Sequence, residues 1–163
     1  MDIRDATAAD LPQILAIHND VVTNTTAIYD QTTSTLEERR AWFDGRTKQG
    51  MPVLVAVDAN GEVLGYASFG EWRTRWGYRH TVEHSVHVRS DQRGRGIGSS
   101  LVKALFPRAT KMGMHVMIAG IDGKATASMR MHEKLGFEKV AVFPEVGRLH
   151  DGWHDLVCMQ KML

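Results

Sequence analysis

A single cysteine, Cys158, stands in the 163 residues of the chain. One thiol cannot close an internal disulfide, nor supply a cysteine-based zinc site. An excess of either charge is missing too. Twenty basic residues face 19 acidic ones, a formal net charge of +1, so no global field draws the chain to nucleic acid or an anionic membrane. No apolar run approaches the roughly 18 residues of a membrane span. The opening Met1-Asp2-Ile3-Arg4-Asp5 is charged where a secretory leader needs an apolar stretch. These absences set the expectation of a cytoplasmic protein with neither nucleic acid nor membrane as partner.

What is present is ordinary for a globular protein, 43% hydrophobic and 24% charged, in a length that suits one domain over residues 1–163. Asp2 to Ala6 reads as a first strand. Thr7 with Asp10 forms a capping box, and Leu11, Ile14, Leu15, His18, Val21 and Val22 follow at helical spacing. Asn24 to Ser34 is a polar loop interrupted by Ala27-Ile28-Tyr29, where Ile28 and Tyr29 are either a buried anchor or a pocket wall. Thr35 with Glu38 opens a second helix to about Lys48, stopped by Gly50 and Pro52. Pro52 to Val57 and Glu62 to Phe69 are read as an antiparallel pair joined by an Asn60-Gly61 two-residue turn.

Gly70 to Arg79 packs two tryptophans, a tyrosine and three arginines into one segment. Such a stretch suits a nucleic-acid surface, a small-anion loop or a cover for a core edge, and the near-zero net charge disfavours the first. Thr81 to Val88 alternates as a strand. Val82, His84, Val86 and Val88 take one face, and Thr81, Glu83, Ser85 and His87 the other. A helix from Gly98 to about Met112 contains Pro107, where a kink or break is expected. Val116 to Ile121 reads as a central strand and Thr126 to Leu135 as a helix closed by Gly136. Glu138 to Val146 and Asp155 to Lys161 are two final strands around a loop from Gly147 to Trp153.

The glycine-rich loop between the Thr81 strand and the Gly98 helix decides between ligand classes. An NTPase phosphate loop needs Gly-Lys followed by Ser or Thr, and Gly98 is followed directly by Ser99. A dinucleotide fingerprint spaces its glycines G-x-G-x-x-G, whereas Gly94, Gly96 and Gly98 alternate. Glycines there allow φ > 0 and close backbone approach, and a helix N-terminus with Arg93 or Arg95 adds positive charge, which suits a diphosphate.

Arg93-x-x-Gly96-x-Gly98 after a strand resembles the acetyl-coenzyme A pyrophosphate loop of the GCN5-related N-acetyltransferase (GNAT) superfamily. Ala127-Ser128-x-x-x-His132-x-x-x-Gly136-Phe137 is similar to its later helix and strand entry. Thr25-x-Ala27-Ile28-Tyr29, Gly65-Tyr66-Ala67-Ser68-Phe69, Trp72-Arg73, Thr81-Val82-Glu83-His84-Ser85-Val86 and Trp153-x-Asp155 resemble the phosphinothricin and methionine sulfoximine acetyltransferases. The likeness runs in order over essentially the whole chain.

This resemblance implies a mixed α/β fold, a single domain with a mostly antiparallel twisted sheet of about seven strands and about four helices. It implies acetyl-CoA as co-substrate, with pantetheine along Val86, His87 and Val88 and pyrophosphate on Arg93, Gly94, Arg95, Gly96, Ile97, Gly98 and Ser99. Ala125 and Ser128 would also meet the cofactor. Glu83 is the implied base for the acceptor amine, against a structural salt bridge. His132 stands where much of the superfamily has a tyrosine, as proton donor to the departing thiolate or as a partner for core polar groups. Acceptor recognition falls on Arg73, Thr74, Arg75, Glu83, His84 and Ser85, with Ile28 and Tyr29 as an apolar wall. The implied acceptor is an amino acid with a polar tetrahedral end group, and the implied assembly is a homodimer.

Two positions depart from the pattern, His87 where relatives carry tyrosine and Ala125 where they tend to carry asparagine. Eight histidines raise the question of a metal, but His80 and His84 lack helical spacing, and His150 and His154 lie in a loop with Asp151 and Asp155 nearby. No metal is expected. The competing functions are acetylation of a polyamine, aminoglycoside or protein N-terminus, and a non-catalytic acyl-CoA-binding module.

Overall fold

The two capping boxes close as the sequence requires. The Thr7 N–H donates to Asp10 Oδ2 (2.7 Å), and the Thr35 N–H donates to Glu38 Oε2 (2.7 Å). They appear in a computed structural model that describes residues 1–149 and 152–163. Asp10 also receives Arg4 through two hydrogen bonds of 2.8 Å, tying the first strand to the first helix. That guanidinium, outweighing burial, holds the Asp10 carboxyl down at about 2. The Thr7 box opens a 3₁₀ turn, Ala8–Asp10, before the helix proper.

The elements run β1 (Asp2–Asp5), α1 (Leu11–Asn24), α2 (Leu36–Lys48), β2 (Val53–Val57), β3 (Val63–Glu71), β4 (Thr81–Val88), α3 (Ile97–Lys111), β5 (Val116–Asp122), α4 (Thr126–Lys134), β6 (Glu138–Leu149) and β7 (Gly152–Met162). The seven strands form one sheet in the order β1-β2-β3-β4-β5-β7-β6. Only β4 and β5 pair in parallel; the other neighbours are antiparallel. The mixed, mostly antiparallel sheet with four helices agrees with the expected fold class.

Each sheet face carries its own apolar layer. Leu11, Ile14, Ile17 and Val21 of α1 pack on Val53, Val55 and Tyr66. On the other face Leu101, Val102, Leu105 and Ala109 of α3 pack on Leu54, Phe69, Val82 and Met117. β2, buried on both faces, is apolar throughout.

Four details differ from the sequence reading. The β2–β3 connection is not a two-residue turn. Asp58 Oδ1 accepts from the Asn60 and Glu62 N–H groups (2.9 Å each), which builds a five-residue loop. Gly70 and Glu71 belong to β3, because its pairing with β4 continues to Glu71↔Val82. Pro107 does not break α3, which continues to Lys111. It removes one backbone donor, while Leu101, Leu105 and Ala109 stay buried on both sides of it. Most of the expected 147–153 loop is strand, since Gly147↔His154, Arg148↔Trp153 and Leu149↔Gly152 are paired. His150 and Asp151 lie outside the described residues.

Candidate active site

β4 is unbroken by any bulge, so its alternation carries directly into space. It pairs with β3 from Val82 to Val88 without a register shift, but with β5 only over Thr81–Glu83 against Val116–Ile118. Beyond Glu83 the two parallel strands part. The β4 edge from Ser85 to Val88 is therefore open on the β5 side among the described residues, and an extended ligand can add to that edge as a strand would.

Glu83 stands where the strands part, on the face that α1 and α2 cover. Its carboxyl reaches over β5: a Cβ on Gly120 would lie 2.9 Å from Oε1. Glu83 is open to solvent on its strand, yet partial desolvation among its neighbours raises its pKa, and no cation opposes the shift. That is the environment of a proton acceptor matched to an amine rather than of a salt-bridged carboxylate. Cys158, paired with Gly120 on β7, shares the neighbourhood. Burial and then Glu83 push its thiol up, while Arg73 pulls it down. Arg73 thus acts on the Cys158 neighbourhood, and its guanidinium lies 4.6 Å from the Trp72 ring centroid. Thr74 and Arg75 remain exposed on the same connection, where the Tyr78 N–H bonds the Arg75 carbonyl (2.9 Å). The Arg79 guanidinium lies 3.5 Å from the Trp76 ring centroid.

Ser85 and His87 share the Glu83 face. His87 packs 5.3 Å from the Tyr66 ring. Burial, with His18, Arg39 and Arg93 adding to it, lowers its pKa to about 4, so the imidazole is neutral. Ile28 packs into the α1 layer, the anchor of its two readings. Tyr29 behaves differently. Its hydroxyl lies 2.9 Å from Asp122 Oδ2 and 3.1 Å from the Asp155 carbonyl, and its ring rests on Gly147. The α1–α2 connection is thereby strapped across β5, β7 and β6. Burial alone would raise the Asp122 pKa, but the Lys124 N–H, Tyr29 and His154 hold the carboxyl below its usual range. The Asp122–His154 contact is 2.6 Å. Asp122 did not stand out in the sequence, where it lies 93 residues from Tyr29, and His154, weighed there only as a loop histidine in the metal question, lies in β7.

The opposite face of β4 is dry. His84 and His132 are 7% and 2% exposed, and their Nε2 atoms lie 3.1 Å apart. His132 Nδ1 is 2.8 Å from the Ser128 carbonyl, which only accepts, so Nδ1 carries the proton. His84 must then donate through Nε2, leaving its Nδ1 bare, buried and without a partner. Burial, then His132 and His87, lowers the His84 pKa to about 3, and burial lowers that of His132. His84 is therefore directed away from the cleft that the resemblance assigned to it. His132 is engaged at both nitrogens.

The glycine loop joins β4 to α3 through a 3₁₀ turn, Ser90–Gln92. Gly94 (φ 78°) and Gly96 (φ 81°) need the left-handed region, and α3 begins at Ile97 with Ser99 in its first turn. Gly98 does not share that conformation. It lies within the helix, where a Cβ would meet Val86, Val88 and Met131 at 3.4–3.8 Å. The unpaired N–H groups at this helix start suit a pyrophosphate. Arg93 reaches the Val88 carbonyl (3.3 Å) and Asp20 (3.5 Å), while Arg95 turns to Gln92. Ala125 precedes α4 without a side-chain cap. The open β4 edge and this loop together fit an acyl-CoA.

Comparison with known proteins points the same way. The sequence model of the acetyltransferase (GNAT) family matches residues 14–137. The chain is 56% identical over 161 residues, 99% of its length and 94% of the relative's, to an L-methionine sulfoximine/L-methionine sulfone acetyltransferase of Pseudomonas paraeruginosa. A ribosomal-protein-alanine N-acetyltransferase structure from Brucella melitensis superposes with a TM-score of 0.97 at 46% identity, covering 100% of both chains. A Salmonella typhimurium acetyltransferase structure with its cofactor acetyl-CoA gives 0.96 at 44% identity, covering 99% of this chain and 93% of that one.

Proposed function

The chain belongs to the acetyltransferase (GNAT) family, and on that premise we propose that it moves the acetyl group of acetyl-CoA to the α-amino group of methionine sulfoximine, methionine sulfone or phosphinothricin. The observation that carries the chemistry is Glu83 at the parting of β4 and β5, its pKa raised by partial desolvation. We read residues 1–163 as one such domain working in the cytoplasm; no helix of the described residues is long and apolar enough to cross a membrane.

When bound, acetyl-CoA would supply the acetyl group as a thioester: a nitrogen–carbon bond forms, the carbon–sulfur bond breaks, and the leaving thiolate takes a proton from solvent. Glu83 takes the proton that the attacking amine gives up. The open β4 edge over Val86, His87 and Val88 holds the extended arm, and Gly94 to Ser99 receive the pyrophosphate at the α3 N-terminus, with Ala125 and Ser128 beside it. Arg73 offers a planar fork to the polar end of the acceptor. His132 holds α4 against β4 in this reading rather than delivering a proton, because its only N–H faces the Ser128 carbonyl.

Thiol release measured over the three amino acids, polyamines, aminoglycosides and alanine-ended peptides tests the reading. Turnover of the amino acids, with the others at background, is expected; turnover confined to polyamines or peptides overturns it. The peptide arm addresses a second reading, protein N-terminal acetylation, for which the Brucella melitensis similarity speaks. We also propose a homodimer joined through β6, an edge strand with Val140, Val142, Phe143 and Val146 exposed. A monomer mass by light scattering at micromolar concentration excludes it.

A further inference from the structure

A cation on the Glu83 face makes no salt bridge among the described residues, and Glu71 acts on it only at longer range. Arg46, in the last turn of α2, is half-buried and is absent from the ion pairs of the described residues. Its Nε is buried without a partner, and Nη1 donates to the Met51 sulfur at 3.7 Å. A guanidinium has five donors to satisfy, so this is an incomplete site. Arg39, two turns earlier on the same face of α2, also leaves Nε unpaired, but it is 4.4 Å from the Trp42 ring centroid and 3.3 Å from His18 Nδ1. Arg39 is thus built into the packing; Arg46 is not.

The position of this guanidinium is specific. It lies on the Cα of Gly70, where a Cβ would overlap its Nη1. Gly70 is the cross-strand partner of Glu83 on the same face. Directly opposed side chains of an antiparallel pair start about 4.5–5.5 Å apart, so the guanidinium flanks Glu83 at one cross-strand spacing. The Glu83 carboxyl turns the other way, over Gly120 on β5. The floor between them offers a proton acceptor on one side and a planar double donor on the other.

An α-amino acid carries its amine and its carboxylate on one carbon and matches that pair. We propose that Arg46 binds the α-carboxylate of the acceptor beside Glu83, and so selects free α-amino acids over amines that lack an adjacent carboxylate. This rests on the amino-acid reading given above and sharpens it. A peptide N-terminus has an amide where the free amino acid has its carboxylate, so the same contact excludes protein acceptors. Arg73 is left for the opposite end of the acceptor.

The test compares methionine sulfone with its carboxamide and with the corresponding decarboxylated amine, on wild-type enzyme, Arg46→Met and Gly70→Ala. A charge-assisted hydrogen-bonded pair predicts that wild type favours the acid by roughly 10- to 100-fold in kcat/KM. Arg46→Met should erase that preference through KM for the acid alone, leaving the carboxamide rate and the acetyl-CoA dissociation constant unchanged. Gly70→Ala should act in the same direction, because its methyl displaces the guanidinium while keeping the charge. Calorimetric binding of methionine sulfone to the enzyme–CoA complex gives a readout independent of turnover. Arginine variants that keep the wild-type preference, or that lose acid and carboxamide equally, overturn the assignment while the amino-acid reading stands. Wild-type enzyme that acetylates no amino acid overturns both.

Discussion

Glu83 and His84 are neighbours on β4, yet alternation sends them into opposite environments. Glu83 opens onto a floor made by Gly70, which carries the Arg46 guanidinium, and Gly120, over which its carboxyl reaches. His84 enters a dry layer with His132, Phe137 and α3, where its ring stacks on His132 at 5.1 Å. Desolvation acts on both, with opposite consequences for charge. It makes the carboxyl hold a proton more readily and makes the imidazoles hold one less readily. Both shifts favour the neutral form. In the cleft that poises a base for an amine; in the core it keeps two rings uncharged so that one N–H···N bond can join β4 to α4.

Removing the carboxylate should break the comparison most severely. Glu83→Gln is expected to lower kcat by about 10²–10⁴-fold, the range of a lost general base, with acetyl-CoA affinity retained in a calorimetric titration. A kcat within threefold of wild type would remove Glu83 as the base. On the dry side, His132→Ala should cost stability instead, about 2–4 kcal/mol, since it opens a cavity and leaves His84 without its Nε2 acceptor. Urea unfolding reads this loss, and a variant as stable as wild type would show that the dyad contributes nothing.

The two faces should also separate by pH. On the dry face His84 and His132 have folded-state pKa values below 6.5, so the folded state binds their protons less readily than the unfolded chain does. Their contribution is complete above about pH 6.5 and is lost as pH falls, by up to about 1.4 kcal/mol per pH unit for each histidine. Unfolding free energies from pH 7.5 to 5 should show that slope; a flat curve denies it. The acid limb of kcat/KM should lie above the ordinary carboxylate range and vanish in Glu83→Gln. The smallest expected effect is that of Gly120→Ala, whose methyl would meet Glu83 Oε1 at 2.9 Å. Displacing the base without removing it should reduce kcat about tenfold or less, with stability unchanged, and a full Glu83→Gln phenotype would mean that the carboxyl has no alternative position.

Much of this contrast was legible before any coordinates. Thr35 with Glu38 announces its helix, Gly94 and Gly96 announce a turn only glycine tolerates, and the alternation from Thr81 to Val88 already divides Glu83 from His84. All three are local: a cap, a backbone conformation and a period of two depend on residues within a few positions of each other. Motif likeness then extended the reading from a diphosphate loop to an acetyl group and an amine. It also grouped His84 with acceptor-binding residues, although the alternation had already placed its side chain on the other face.

Tertiary structure decided what lies across the cleft. That β7 inserts between β5 and β6, bringing Cys158 beside Gly120 and His154 onto Asp122, is a matter of pairing between distant segments. The parting of β4 from β5 after Glu83, the strap from Tyr29 to Asp122 and the Arg46 guanidinium on Gly70 depend on contacts spanning tens of residues. No local propensity encodes them, because each is settled only when the sheet order and both apolar layers are complete. The sequence by itself determined the elements, the cradle and the base; the assembled sheet decided what stands opposite that base.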